Sequence, residues 1–167
     1  AAAEPPAAAA AAPGPARRPA EPEADALVLP PVGGRVPPCE LPLWCVIPNT
    51  DDIVQHVEIL RRSVGSAAPK RLLLGRRSWV LLGRRLQPSA GGPDPDIGLA
   101  SPRASRLHAL VLRNWQGKVF LMDLGSSHGS VVGVKKLPPK QPCEWPIGVA
   151  AYFADKSREV FELRLSR

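Results

Sequence analysis

Residues 123–130 read D-L-G-S-S-H-G-S, and the inner five, Gly125 to Gly129, fit the Gly-x-Ser-x-Gly pattern of a hydrolase nucleophile elbow. The same residues also suit a loop that holds a phosphate. An elbow sets its serine between a strand and a helix. The preceding KVFLMDL, 118–124, supplies a strand, with Val119, Leu121 and Asp123 on one face and Phe120, Met122 and Leu124 on the other. The following SVVGVKKLPP is β-branched, interrupted by a glycine and closed by two prolines, so it makes no helix. No histidine follows His128, whereas the hydrolase order needs one after the serine. Ser127 is therefore not read as a nucleophile, and no catalytic residue is expected.

Outward from this loop the chain alternates short apolar runs with Gly, Pro and basic turns. LWCVI (43–47), RLLLG (71–75), WVLL (79–82), DIGL (96–99), RLHALVLRN (106–114), KVFLMDL, SVVGV (130–134), VAAYFA (149–154) and EVFELRL (159–165) each suit a strand. NWQG, between 106–114 and 118–124, reads as a hairpin turn, because Asn and Gly accept positive φ. DDIVQHVEILRR, 51–62, fits both periods, with Ile53, Val57 and Leu60 at helical spacing and Val57 and Ile59 at strand spacing. An inserted helix or loop is expected there. Many closely spaced strands predict an all-β chain folded as a β-sandwich of two antiparallel sheets over residues 43–167.

Composition sets residues 1–42 apart. They hold 11 of the 21 prolines, with three basic and five acidic side chains, against nineteen and ten in the remainder. Such an Ala/Pro-rich arm buries too little apolar surface to offset the entropy of ordering it, and is read as disordered. Arg17 and Arg18 suggest a transit peptide, but Glu4, Glu21, Glu23 and Asp25 are wrong for an acid-poor targeting segment. The chain opens on Ala1 rather than Met, as a fragment or processed form would. No run of 18 apolar residues exists, so no membrane span is expected. Cys39, Cys45 and Cys143 lack Cys-x-x-Cys spacing, and the three histidines are far apart, so neither a disulfide framework nor a metal centre is expected. No cofactor is implied.

Two further motifs precede the opening loop. Gly83-Arg84-Arg85 follows an apolar strand, and Ser105-Arg106-Leu107-His108 opens the next long one. Strand ends at one edge of a sandwich bring their loops together, so Arg84, Ser105, Arg106 and Ser127 are candidates for one shallow patch. Gly-Arg, then Ser-Arg-Leu-His about 20 residues on, then Asp-Leu-Gly-Ser-Ser-His-Gly-Ser resembles the forkhead-associated (FHA) domain, a β-sandwich that binds phosphothreonine peptides. The resemblance runs from about residue 43 to 165.

By that resemblance Arg84 is the main phosphate clamp, with Ser105 and Ser127 as hydroxyl donors and Arg106 assisting. His128, where many members have Asn, would touch the peptide backbone. Gly83, His108 and Gly129 would be structural, His108 by bonding between loops. The Gly75-Arg76 pair is a rival for the clamp, less favoured because Arg84 directly follows the aromatic-aliphatic strand. Val132-Gly133-Val134 departs from the family's usual Asn-Gly pair, which puts one peptide-backbone contact in question. The connection from Arg85 to Arg103 is longer than usual and lies where such domains choose flanking residues. The implied partner is a protein phosphorylated on threonine, at Thr-Pro sites, read by a monomer in the nucleus within RNA-processing or phosphatase-related assemblies.

Rival functions have their own signatures. The basic body suggests RNA or DNA binding, which would call for basic residues interleaved with aromatics on one face. Trp44, Trp79, Trp115, Trp145 and Tyr152 are too scattered for that. Direct inhibition of a phosphatase would use a short basic-Val-x-Phe motif, and Arg158-Glu-Val-Phe161 has the wrong spacing. The FHA fold serving as a scaffold without phosphate dependence is the remaining alternative.

Overall fold

The computed structural model describes residues 35–45, 57–87 and 94–166, together with the backbone of 26–28. Twelve strands form among the described residues: β1 (Ala26–Val28), β2 (Val57–Ser63), β3 (Lys70–Leu73), β4 (Trp79–Arg84), β5 (Ile97–Leu99), β6 (Ala109–Arg113), β7 (Val119–Asp123), β8 (Ser130–Val132), β9 (Lys135–Lys136), β10 (Cys143–Glu144), β11 (Ala150–Phe153) and β12 (Glu159–Leu165). They make a seven-stranded sheet, ordered β1-β3-β2-β12-β11-β8-β9, and a five-stranded sheet, ordered β10-β7-β6-β4-β5. The all-β sandwich expected from the sequence is the fold.

Alternation along each strand builds the core. Val80 and Leu82, Ala109 and Val111, and Val119 and Leu121 face the other sheet, meeting Ile59, Phe153, Phe161 and Leu163. The intervening Trp79, Leu81, Leu110, Leu112 and Met122 form a second apolar layer on the far side of the five-stranded sheet. That layer is covered by Cys39, Leu41, Trp44 and Cys45, with Trp44 tilted on Phe120 at 4.6 Å between ring centres. The five-stranded sheet is thus buried on both faces. This accounts for WVLL and ALVL, which read as continuous apolar runs rather than alternating ones.

Several expectations are corrected. Residues 57–63 are strand, not helix or loop: β2 pairs with β12 along seven residues and with β3 on its other side. The period of two prevails because Val57 and Ile59 both face the core, and the two ladders satisfy the backbone. Residues 51–56 lie outside the described residues. Of LWCVI, Leu43 and Trp44 form a turn and Cys45 makes a lone bridge to Asn114, its N–H donating to Pro42 O; residues 46–47 are not described. The sheets are mixed rather than antiparallel, since β1 runs parallel to β3 and β5 parallel to β4. Within the stretch read as a disordered arm, 26–28 is a strand, and Cys39 and Leu41 pack against the second apolar layer. The rest of that expectation, residues 1–25 and 29–34, falls outside the described residues.

The parallel course of β5 has a specific anchor. Asp96, 3% exposed, takes two hydrogen bonds from the Arg77 guanidinium, at 2.8 and 2.7 Å, and one from Leu81 N–H at 2.8 Å. Arg35 also pairs with Asp96, tying the N-terminal segment to the same point. Arg77 is only 2% exposed, so losing Asp96 would strand much of its charge away from water. Asp96→Ala is expected to cost about 3–5 kcal/mol of folding stability, read as a shift in urea midpoint. A loss below about 1 kcal/mol would show that water reaches the pair.

Candidate functional site

The site is built on a close crossing. After β4 the backbone of 105–108 lies alongside Leu82–Arg84: His108 N–H donates to Leu82 O at 3.0 Å, and Arg84 N–H to Ser105 O at 2.9 Å. Between them a Cβ on Gly83 would stand 1.8 Å from Arg106 O. Only a residue without a side chain permits this approach. It sets Arg84 beside Ser105, and the Arg84 guanidinium donates through Nη1 to Pro102 O at 3.0 Å.

The third loop is fixed from beneath by two buried polar side chains. His108 is fully buried; its Nδ1 accepts Ser105 N–H at 3.1 Å, so Nε2 carries the ring proton and donates to Gly129 O at 2.9 Å. Burial lowers its pKa, outweighing the opposite pulls of the Gly129 carbonyl and Asp123, so the ring is neutral at pH 7. Asp123 accepts four hydrogen bonds, from Gly125 N–H (2.9 Å), Ser126 N–H (2.8 Å), Ser126 Oγ (2.6 Å) and Ser130 Oγ (2.6 Å). Burial by itself would raise this carboxyl; the donors from Ser126 and Ser130, with His108 nearby, overcome it and hold the pKa low. Gly125 and Gly129 take φ of +82° and +80°, where a side chain would be strained. Ser127 and His128 are thereby lifted to the surface, and Ser127 N–H donates to Ser105 Oγ at 3.2 Å.

Arg84, Ser105, Arg106, Ser127 and His128 all line one open depression of about 520 Å³, with Pro102, Arg103, Ala104 and Leu107. Gly83, His108 and Gly129 provide its footing. Gly75 and Arg76 lie at the opposite end of β4, roughly 20 Å away by strand length. Arg103 joins the lining although the sequence did not single it out; an arginine in a polar loop carries no motif of its own. Three guanidiniums and two hydroxyls meet here and no carboxylate is in the lining, so the depression suits an anion. It does not suit nucleophilic attack by Ser127. Both His108 nitrogens are taken by backbone groups, and the chain after Ser127 enters β8 instead of a helix.

Residues 80–148 match the model of the FHA domain family. Over those residues the chain is similar to FHA domains, and its fold is an FHA-like β-sandwich. Among curated proteins it is similar to the human nuclear inhibitor of protein phosphatase 1, 28% identical over 128 residues, 75% of this chain and 33% of that protein. The protein phosphatase 1 regulatory inhibitor subunit PPP1R8 homolog of Arabidopsis thaliana is 30% identical over 121 residues, 70% of this chain and 28% of that protein. The chain thus spans about a third of the length of the curated relatives it matches. In fold it is similar to full-length yeast Pml1p, with a TM-score of 0.65 at 20% identity, over 76% of this chain and 99% of the other.

Two outcomes test this scaffold. Gly83→Ala should lose about 1–3 kcal/mol of stability, because the new methyl meets a backbone carbonyl that can move only with the Ser105 loop; chemical denaturation reads it. The second concerns acid. His108 has a folded pKa below its ordinary 6.5, so the unfolded chain takes up that proton first. Its contribution to stability is complete above pH 6.5 and is lost as pH falls through the folded value. Asp123 adds a further loss below its ordinary 3.8. Melting temperatures from about pH 8 to 4 should fall below pH 6.5, with a shallower fall in His108→Gln. An equal slope in both proteins would remove the histidine as the cause.

Proposed function

We propose that this chain is a non-enzymatic reader of phosphothreonine peptides, acting as a recruitment module. The observation that carries this reading is the convergence of Arg84, Ser105 and Ser127 on one carboxylate-free depression. A phosphothreonine brings about −1.5 to −2 charges and three strong acceptor oxygens. One guanidinium engages two oxygens side by side, and small hydroxyls serve the third without crowding. Ser105 Oγ already accepts Ser127 N–H, which leaves its own proton to donate. Arg106 assists at the rim, and His128 contacts the peptide backbone.

Leu107, half-buried in the lining, offers apolar contact for the threonine methyl, worth roughly 0.8 kcal/mol if fully buried. The peptide must be ordered on binding, which keeps affinity in the micromolar range, about −8 kcal/mol. The names of the curated relatives support a nuclear, phosphatase-associated setting. In this reading a monomer recognises phosphorylated Thr-Pro sites of RNA-processing or phosphatase-associated proteins. The rival readings have less support. Trp79 and Trp145 are 4% and 1% exposed and are core residues, unavailable for stacking on bases. Phe161 of the Arg-Glu-Val-Phe stretch is fully buried in β12 and cannot dock on a phosphatase.

Arg84→Ala should abolish detectable binding of a phosphothreonine peptide in calorimetric titration, since losing a desolvated charge partner costs on the order of 2–5 kcal/mol. The melting temperature should stay close to that of the unsubstituted protein, because Arg84 is partly exposed. An unchanged affinity would refute the assignment of the clamp.

A further inference from the structure

The phosphate depression has a neighbour on the Gly129 side. β8 and β9 pair with Val131 opposite Lys136, which brings the second lysine of the pair back to the loop from which β8 started. A Cβ on Gly129 would stand 2.8 Å from Lys136 Cε and 3.6 Å from Nζ. The lysine stem therefore lies across the bare α-carbon of Gly129 and carries its ammonium along the loop. Its position depends on that glycine, whose φ of +80° already disfavours a side chain. Lys136 is exposed, and no carboxylate pairs with it among the described residues. His128, next to Gly129, lines the depression. Since consecutive α-carbons are about 3.8 Å apart, the ammonium lies within roughly 13 Å of the Ser127 α-carbon.

That spacing has a chemical meaning. An extended peptide advances about 3.3 Å per residue. An acidic side chain one to three residues from the phosphothreonine therefore reaches Lys136 while the phosphate sits between Arg84 and Ser127. The charge balance leaves room for it, because Arg84, Arg103 and Arg106 around the depression already match one phosphate. Lys136 is not in that lining.

We propose that Lys136 selects a second anionic group in the ligand, carried by a residue one to three positions from the phosphothreonine on the side that runs over Gly129. This rests on reading the depression as a phosphothreonine site. The anion is a carboxylate or a second phosphate, and both meet the ammonium as a point charge with no demand for bidentate geometry.

The test uses the whole chain and a phosphothreonine peptide with alanine flanks. Glutamate, and in a parallel series phosphoserine, is placed in turn at each of the three positions on either side. With the unsubstituted protein, one or two neighbouring positions on a single side should tighten binding by about three- to fivefold for glutamate. Phosphoserine should give more there, because it carries about −1.5 to −2 charges. Lys136→Gln should erase the gain at those positions while binding the alanine-flanked parent within about twofold. The gain should shrink as salt is raised, and Lys136→Arg should retain it. If no position gains, or if the gain survives in Lys136→Gln, the assignment is overturned while phosphothreonine reading stands. Failure of the unsubstituted protein to bind even the parent peptide would overturn both.

Discussion

One buried imidazole links the loops on which the site depends. His108 accepts a hydrogen bond from the Ser105 backbone at one nitrogen and donates to the Gly129 carbonyl at the other. Neither bond has water to replace it, since the ring is fully buried. Leaving the Ser105 N–H unsatisfied would cost on the order of 1–3 kcal/mol. The loop before β6 and the loop after β7 are therefore fixed to one another as well as to the sheets. Ala154 N–H adds a further donor to the same Gly129 carbonyl, which brings the chain after β11 into the junction.

The arrangement separates rigidity from exposure. Asp123, Ser126 and Ser130 spend their hydrogen bonds inside the turn, while the side chains of Ser127 and His128 emerge from it without hydrogen-bond partners among the described residues. The backbone that carries the exposed groups is consequently held in place before any ligand arrives, and less ordering remains to be done on binding. Arg84 follows the same pattern. Its backbone is locked by Gly83 and Ser105, and its guanidinium leans on one carbonyl with most of its donors unspent. Charge, small hydroxyls and a shallow wall then act together on an anion that can arrive and leave.

Support for this rim comes from the five-stranded sheet beneath it. Apolar side chains cover both of its faces, one against the opposite sheet and one under the 39–45 segment. Two ion pairs brace the segment around β5: Asp96 with Arg77, and, reaching over from the seven-stranded sheet, Glu159 with Arg61, the Glu159 carboxylate also accepting Ala100 N–H at 2.8 Å. Both carboxylates take backbone N–H groups in addition to a guanidinium. Each pins the connection around β5, which keeps the Pro102–Ser105 approach to the site in register.

Much of this was legible in the linear chain. Period-two alternation in KVFLMDL gives its two faces, and the β-branched run after Ser127 rules out a hydrolase elbow, because both are local properties of the backbone and its nearest side chains. The Gly-Arg, Ser-Arg-Leu-His and Gly-Ser-Ser-His-Gly motifs marked the rim for the same reason, each being a turn chemistry confined to a few residues. What lay beyond reach were pairings between distant segments. Residues 57–63 carry helical and strand periods at once, and only their ladder with β12 decides between them. The parallel run of β5, the cover formed by 39–45, and the places of Arg103 and Lys136 beside the site have no local signature. They are fixed by which surfaces meet once the sheets stack, and that depends on the whole chain being folded at once.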